Sequence, residues 1–216
     1  MHTPTSAPTT TGRTIPWASF YDTLVNVASL GRAKILRNEI AAKAPFKSGD
    51  TVLDVGCGTG DQAILACDIV GKEGAVFGSD ASVKMINIAR SKAEGLGIAV
   101  DFQVDLIENI SHPDETFDGV MNSLVMHHLP GDLKIKGISE FYRILKPGGS
   151  VYIVDMESVG GSFFQQLGDL IIHLHGGNKK LKDNVQRLTP LLKECGFIDI
   201  STGRVNRQLA YICGKK

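Results

Sequence analysis

The sequence predicts an α/β fold, a doubly wound and mostly parallel sheet of seven strands with a C-terminal antiparallel hairpin and helices ahead of the first strand. Three observations carry this expectation. Apolar runs rich in β-branched residues recur along the chain and alternate with stretches whose apolar positions return at helical spacing. The first such run, at 52–55, breaks into a loop where Gly56, Gly58 and Gly60 alternate with Cys57 and Thr59, and a helix-forming stretch follows at once. Asp54, Asp80, Asp105 and Asn122 all fall at the carboxyl tips of expected strands, where sheets of this class hold ligands.

At 216 residues the chain is long enough for one domain with a real core and no need of disulfides or metals. Residues 1–14, crowded with Thr, Pro and Ser, read as a disordered tail without the apolar core of a secretion signal, which leaves 15–216 as the folded unit. Acidic and basic residues balance at 23 each, so bulk charge marks no nucleic-acid footprint. Cys57, Cys67, Cys195 and Cys213 are far apart and form no C-x-x-C pair. A reduced, cytoplasmic setting is expected. No apolar run reaches the roughly 18 to 20 residues needed to span a bilayer, and His127 and His128 have no further ligands at metal-site spacing. Oligomeric state is not legible.

The elements follow in order. Leu24, Val27, Ala28, Ile35, Leu36 and Ile40 recur near helical spacing, placing one or two helices within 15–45. The strand at 52–55 and the glycine loop lead into a helix over 61–70, whose exit is marked by Gly71 and Gly74. A second strand at 75–80 completes a β-α-β unit, and Ser82 opens a helix carrying Met85, Ile88 and Ala89 on one face. Alternation predicts a third strand at 98–105 and a fourth at 116–122. Ile138, Phe141, Tyr142 and Leu145 mark a helix within 131–146, which Pro147 and two glycines stop before a fifth strand at 150–155. Further helical spacing at Phe163, Phe164, Leu167, Leu170, Ile171 and Leu174 fills an insertion over 157–188. A last helix from Thr189 stops at Gly196, and 197–202 with 208–213 form the closing hairpin.

Glycines let a main chain approach a ligand closely, and amides at a helix start offer donors, so the loop reads as a nucleoside-cofactor cradle. Its G-x-G-x-G spacing is tighter than the G-x-G-x-x-G of dinucleotide folds, which argues against a nicotinamide-dependent oxidoreductase. With Asp54 before it, the loop resembles the first motif of class I S-adenosylmethionine-dependent methyltransferases. The likeness extends through the F-D-x-V and H-H-L stretch at 117–129 and the L-K-P-G-G passage at 145–149, and is similar in look to the ubiquinone and menaquinone C-methyltransferases.

That resemblance implies a Rossmann-like methyltransferase fold with a helical lid over 15–45, using S-adenosyl-L-methionine and releasing S-adenosyl-L-homocysteine as it methylates a small-molecule acceptor. It assigns Asp54 to the amino-acid tail, Gly56, Cys57, Gly58, Thr59 and Gly60 to the loop beneath the ligand, and Asp80 to ribose hydroxyls. Ala81 and Met85 would flank adenine, with Asp105 and Leu106 at its edge. Asn122, Ser123 and His127 would face the methionine end. His128 and Tyr21 are the candidate catalytic residues, and Phe163, Phe164 and His173 the candidate acceptor contacts. Loop capping for the acids, plain core packing for Met85 and an amphipathic helix anchor for Tyr21 are the competing roles, and a cofactor-binding protein without turnover is the competing function.

Overall fold

The structure, a computed structural model, describes residues 31–157, 185–207 and 209–216. The expected tail, the first part of the lid and nearly all of the 157–188 insertion lie outside the described residues, and with them Tyr21, Phe163, Phe164 and His173. In chain order the elements are α1 (Ala33–Ala41), β1 (Thr51–Val55), α2 (Asp61–Val70), β2 (Ala75–Asp80), α3 (Val83–Leu96), β3 (Asp101–Val104), β4 (Phe117–Ser123), α4 (Gly131–Ile144), β5 (Leu145–Met156), α5 (Thr189–Cys195), β6 (Ile198–Arg204) and β7 (Leu209–Lys215). Single 3-10 turns precede α4 and α5, at Met126–His128 and Val185–Leu188.

All seven strands join one sheet in the order β3-β2-β1-β4-β5-β7-β6. The first five run parallel, and β7 inserts antiparallel between β5 and β6. The winding direction reverses between β1 and β4, and a sheet wound this way opens a crevice at the carboxyl ends of those two strands.

Strand periodicity divides the core. Leu53, Val55, Val120, Val151 and Ile153 belong to one apolar cluster, while Val52, Met121, Tyr152 and Val154 belong to the other, as alternate residues on a pleated strand must. Asp54 alternates with Leu53 and Val55, so it shares its face with Val52 and the second cluster. α1 is held to this side by Tyr152, whose hydroxyl donates to the Ile40 carbonyl at 2.9 Å, and by Gln62, which donates to the Arg37 carbonyl at 3.1 Å.

Three boundaries differ from the sequence reading. β3 starts at Asp101, because the Ile98 amide closes the end of α3 on the Ala93 carbonyl and β2 pairs only with 101–104. β5 starts at Leu145, opposite Phe117, and carries Pro147 and its glycines within an irregular register before regular pairing begins between Gly119 and Ser150. Gly148 takes a φ of 80°, and its amide bonds to the Lys216 carbonyl, so the passage bends the strand instead of separating it from α4. The hairpin strands run two residues further at their ends than the alternation implied, to Arg204 and Lys215.

Gly60 binds the glycine loop to this frame. Its φ is +84°, and a Cβ there would lie 2.8 Å from the Phe102 ring and 2.9 Å from Ala89. Gly60→Ala is therefore expected to destabilise the fold by about 2 to 5 kcal/mol, the sum of left-handed strain and overpacking. A urea midpoint matching wild type would show that the loop relaxes freely.

Candidate functional site

The crevice is floored by the loop between β1 and α2. Gly56, Gly58 and Gly60 all have positive φ, a conformation that L side chains rarely adopt. The amides of Gly56 and Cys57 donate to the Ser79 carbonyl at 2.7 and 2.9 Å, which ties the loop to the tip of β2. On its other side Asp61, in the first turn of α2, pairs with Arg37 at 2.8 Å and Lys92 at 2.9 Å, and Lys92 also reaches the Thr59 hydroxyl at 3.1 Å. Cys57 is buried with its thiol pushed up by desolvation, so it packs as an uncharged side chain.

Asp80 closes the loop from β2. Its two oxygens accept the Gly58 amide at 3.0 Å and the Ser82 amide at 2.8 Å. Burial raises its pKa, and these two amides act against that rise. A carboxylate has about four acceptor positions, so two hydrogen bonds leave capacity for a ligand's hydroxyls.

Asp54 differs in kind. It is 1% exposed, and neither oxygen has a hydrogen-bond partner among the described residues. Desolvation chiefly, then the charge of Asp80, pushes its pKa up to about 8, while the Ala63 amide opposes the rise without reaching hydrogen-bond geometry. Asn122, fully buried on β4, donates to the Val55 carbonyl at 2.7 Å and likewise leaves its Oδ1 without a partner among the described residues. Asp54 sits opposite Met121, the residue before Asn122. A buried carboxyl without a partner is costly unless a donor-rich, positively charged group reaches it.

Beyond β3, Asp105 accepts the Ser111 amide at 2.8 Å, the Ser111 hydroxyl at 2.9 Å and the Gln103 amide at 3.1 Å. Gln103 also lies 2.7 Å from His112 Nε2, and burial lowers the His112 pKa, which keeps the ring neutral. The chain itself thus holds this carboxylate, and Leu106 pairs across the following turn with Asn109. Met85 is buried at the start of α3, with its amide capped by Ser82, and Ala81 is half-buried just before it.

After β4, Ser123 is half-buried and Leu124 adopts a φ of 60°, rare for a branched side chain. This turn throws Val125 onto Gly56, where a Cβ would lie 2.6 Å from the valine methyl. Two residues on, the His127 amide donates to Asp155 Oδ2 at 2.9 Å and its ring Nδ1 meets Asp155 Oδ1 at 2.6 Å. Asp155 is the last residue but one of β5 and is 2% exposed. His128 is exposed and its ring lies against that of His127, tilted by 45° with centroids 3.8 Å apart. The structure therefore joins the loop to Asp80 through the Gly58 amide, puts Asp54 within reach of the Asp80 charge, ties Asn122 to the end of β1 and packs Val125, two residues before His127, on Gly56. Sequence reasoning passed over Asp155, although an acid ending a strand was the signal already used for Asp80. Among the described residues no group of three or more His, Cys, Asp or Glu is placed to hold a metal ion.

Residues 52–149 match the family described as Methyltransferase domain. The chain is 35% identical over 134 residues to a demethylmenaquinone methyltransferase of Symbiobacterium thermophilum, covering 61% of this chain and 53% of that protein. It is 32% identical over 151 residues to a ubiquinone/menaquinone biosynthesis C-methyltransferase of Xanthomonas campestris pv. campestris, covering 69% and 59%. The match thus spans between half and three fifths of the length of these relatives. A crystal structure of a SAM dependent methyltransferase from Aquifex aeolicus shares the fold, with a TM-score of 0.69 at 22% identity over 91% of this chain and 97% of that one. By its sheet order the chain has the fold of that solved methyltransferase, and residues 52–149 belong to the methyltransferase-domain family, with a sequence similar to the ubiquinone/menaquinone C-methyltransferases.

Proposed function

We propose that this protein transfers a methyl group from S-adenosyl-L-methionine to a small, quinone-type acceptor and releases S-adenosyl-L-homocysteine. The names of the relatives support the acceptor class. A reduced, cytoplasmic setting fits the four free cysteines, and no helix among the described residues is long and apolar enough to cross a membrane.

The observation that carries the reading is the buried, unpartnered Asp54 carboxyl at the tip of β1. An amino-acid ammonium supplies the donors and the charge that Asp54 lacks, and the bare backbone of the loop admits a nucleoside without steric conflict. Asp80 has acceptor capacity left for vicinal ribose hydroxyls. When bound, the cofactor supplies an electrophilic methyl on a sulfonium leaving group. The chain's part is to orient and desolvate the acceptor, and orientation of this kind supplies up to about 7 to 11 kcal/mol at the extreme.

Proton linkage tests this directly. With a pKa of about 8 in the free protein, Asp54 is mostly protonated at neutral pH and must ionise to pair with an ammonium. Cofactor binding near neutral pH is therefore expected to release a proton, and affinity to rise as pH climbs toward 8 by up to about tenfold per unit. Calorimetric titration in buffers of different ionisation heat reads both. Binding without proton release would remove Asp54 from the ammonium site, and no binding at all would end the proposal.

A further inference from the structure

We infer that the chain carries a second ligand site, a pocket for a phosphate group at the amino ends of the parallel strands, on the edge of the sheet opposite the crevice. It stands independently of the methyl-transfer reading.

Between the end of α1 and the strands β5, β7 and β6 lies a cavity of about 290 Å³, close to the lower size of pockets that hold small molecules. The strand register builds it. Ser150 lies opposite Lys215, and Cys213 pairs with Tyr152 on one side and Ser201 on the other, so these residues of three neighbouring strands share one face. Tyr211 and Cys213 pack from that face against the second apolar cluster. The far wall is the passage after α1, where Lys43 lines the cavity and Phe46 packs edge-on against Tyr152 with ring centroids 6.4 Å apart. The glycine loop and Asp155 belong to the carboxyl ends of the strands. Ser150, where regular pairing of β5 with β4 begins, is roughly 16 Å from Asp155 along the strand.

The lining is polar and carries an excess of positive charge. Lys43 has no acidic partner among the described residues, and Lys215 meets Asp199 at 4.0 Å with both groups exposed. Two ammonium groups thus share the cavity with one carboxylate. The hydroxyls of Ser150, Ser201 and Tyr211, which also line it, make no hydrogen bond among the described residues. Tyr211 is half-buried, and a tyrosine hydroxyl withdrawn from water usually has a partner. Burial pushes the Cys213 thiol up to about 11, so the floor adds no negative charge near neutral pH. A neutral ligand would use the hydroxyls and leave the charges unmatched. A phosphate group uses both, since its oxygens accept from hydroxyls and from ammonium point charges together.

The test titrates inorganic phosphate into the isotope-labelled full chain, with ionic strength held constant by chloride, and follows the backbone amides by NMR. Saturable shifts are expected at Ser150, Ser201 and Cys213, and none in the glycine loop. Lys43→Gln and Lys215→Gln should each weaken binding by about tenfold, the equivalent of one charge-assisted contact. Asp199→Asn should tighten it by up to about fivefold, because it removes the carboxylate from the lining. Asp199 takes a φ of 48°, which Asn accepts as readily, and a gain in affinity cannot come from misfolding. Sedimentation with phosphatidylcholine vesicles, with and without phosphatidic acid, identifies the source. Binding to the acidic vesicles that requires both lysines makes the phosphate a lipid headgroup, and no such binding beside a saturable response to free phosphate makes it a soluble ester. Shifts that rise without saturation, or wild-type affinity in the variant carrying both lysine changes, overturn the proposal.

Discussion

Asp54→Asn is expected to weaken cofactor affinity by at least about 100-fold while stabilising the free protein. The two effects share one cause. A buried carboxyl with no hydrogen-bond partner is a poor group for a fold and a good one for an ammonium, and Asn keeps its shape without its charge. The direction of the pH effect follows from the raised pKa. Between the ordinary carboxylate value near 4 and the folded value of about 8, the native state binds more protons than the unfolded chain, so the free protein loses stability as pH rises through that window. The slope is up to about 1.4 kcal/mol per pH unit. Asn cannot ionise, so that slope should vanish from the variant. Urea unfolding of both proteins from about pH 5 to about pH 9 reads the difference, and parallel curves would mean that Asp54 is not a buried ionisable group.

Asp80→Ala is expected to reduce cofactor affinity by a similar factor, for a different reason. Asp80 already has a task in the free protein, since it accepts the Gly58 and Ser82 amides and so joins the glycine loop to the start of α3. Removing it loses two hydrogen bonds to a charged group, each worth about 1.5 to 3 kcal/mol, along with the proposed ribose contacts. Here stability and affinity fall together. The Asp54 carboxyl should remain raised in this variant, because burial outranks the Asp80 charge among its causes. Titration calorimetry is the measurement, and wild-type affinity in Asp80→Ala would take β2 out of the ligand site.

The opposite signs for these two acids show how far the sequence could be read. Alternation and helical spacing placed the strands and helices of the described chain within a few residues, because burial on a pleat or a helix face repeats at a fixed period. The strand-to-glycine-loop passage located the crevice for the same local reason. Boundaries slipped where a hydrogen bond from elsewhere decided them, as with the Ile98 amide on α3 and the Gly148 amide on Lys216. The site was less legible than the frame. Asp54, Asp80 and Asp105 look alike at strand tips, yet one is orphaned, one is bound to the glycine loop and one is enclosed by Ser111 and Gln103.

What the sequence determined by itself is the winding of the sheet and the position of a bare-backbone turn at its switch point, since both arise from residues close together in the chain. Only the tertiary structure decided which acids keep unsatisfied lone pairs, and that His127 takes its partner from a strand 28 residues away. Hydrogen-bond satisfaction depends on which groups fold against one another, and residue order carries no direct record of it.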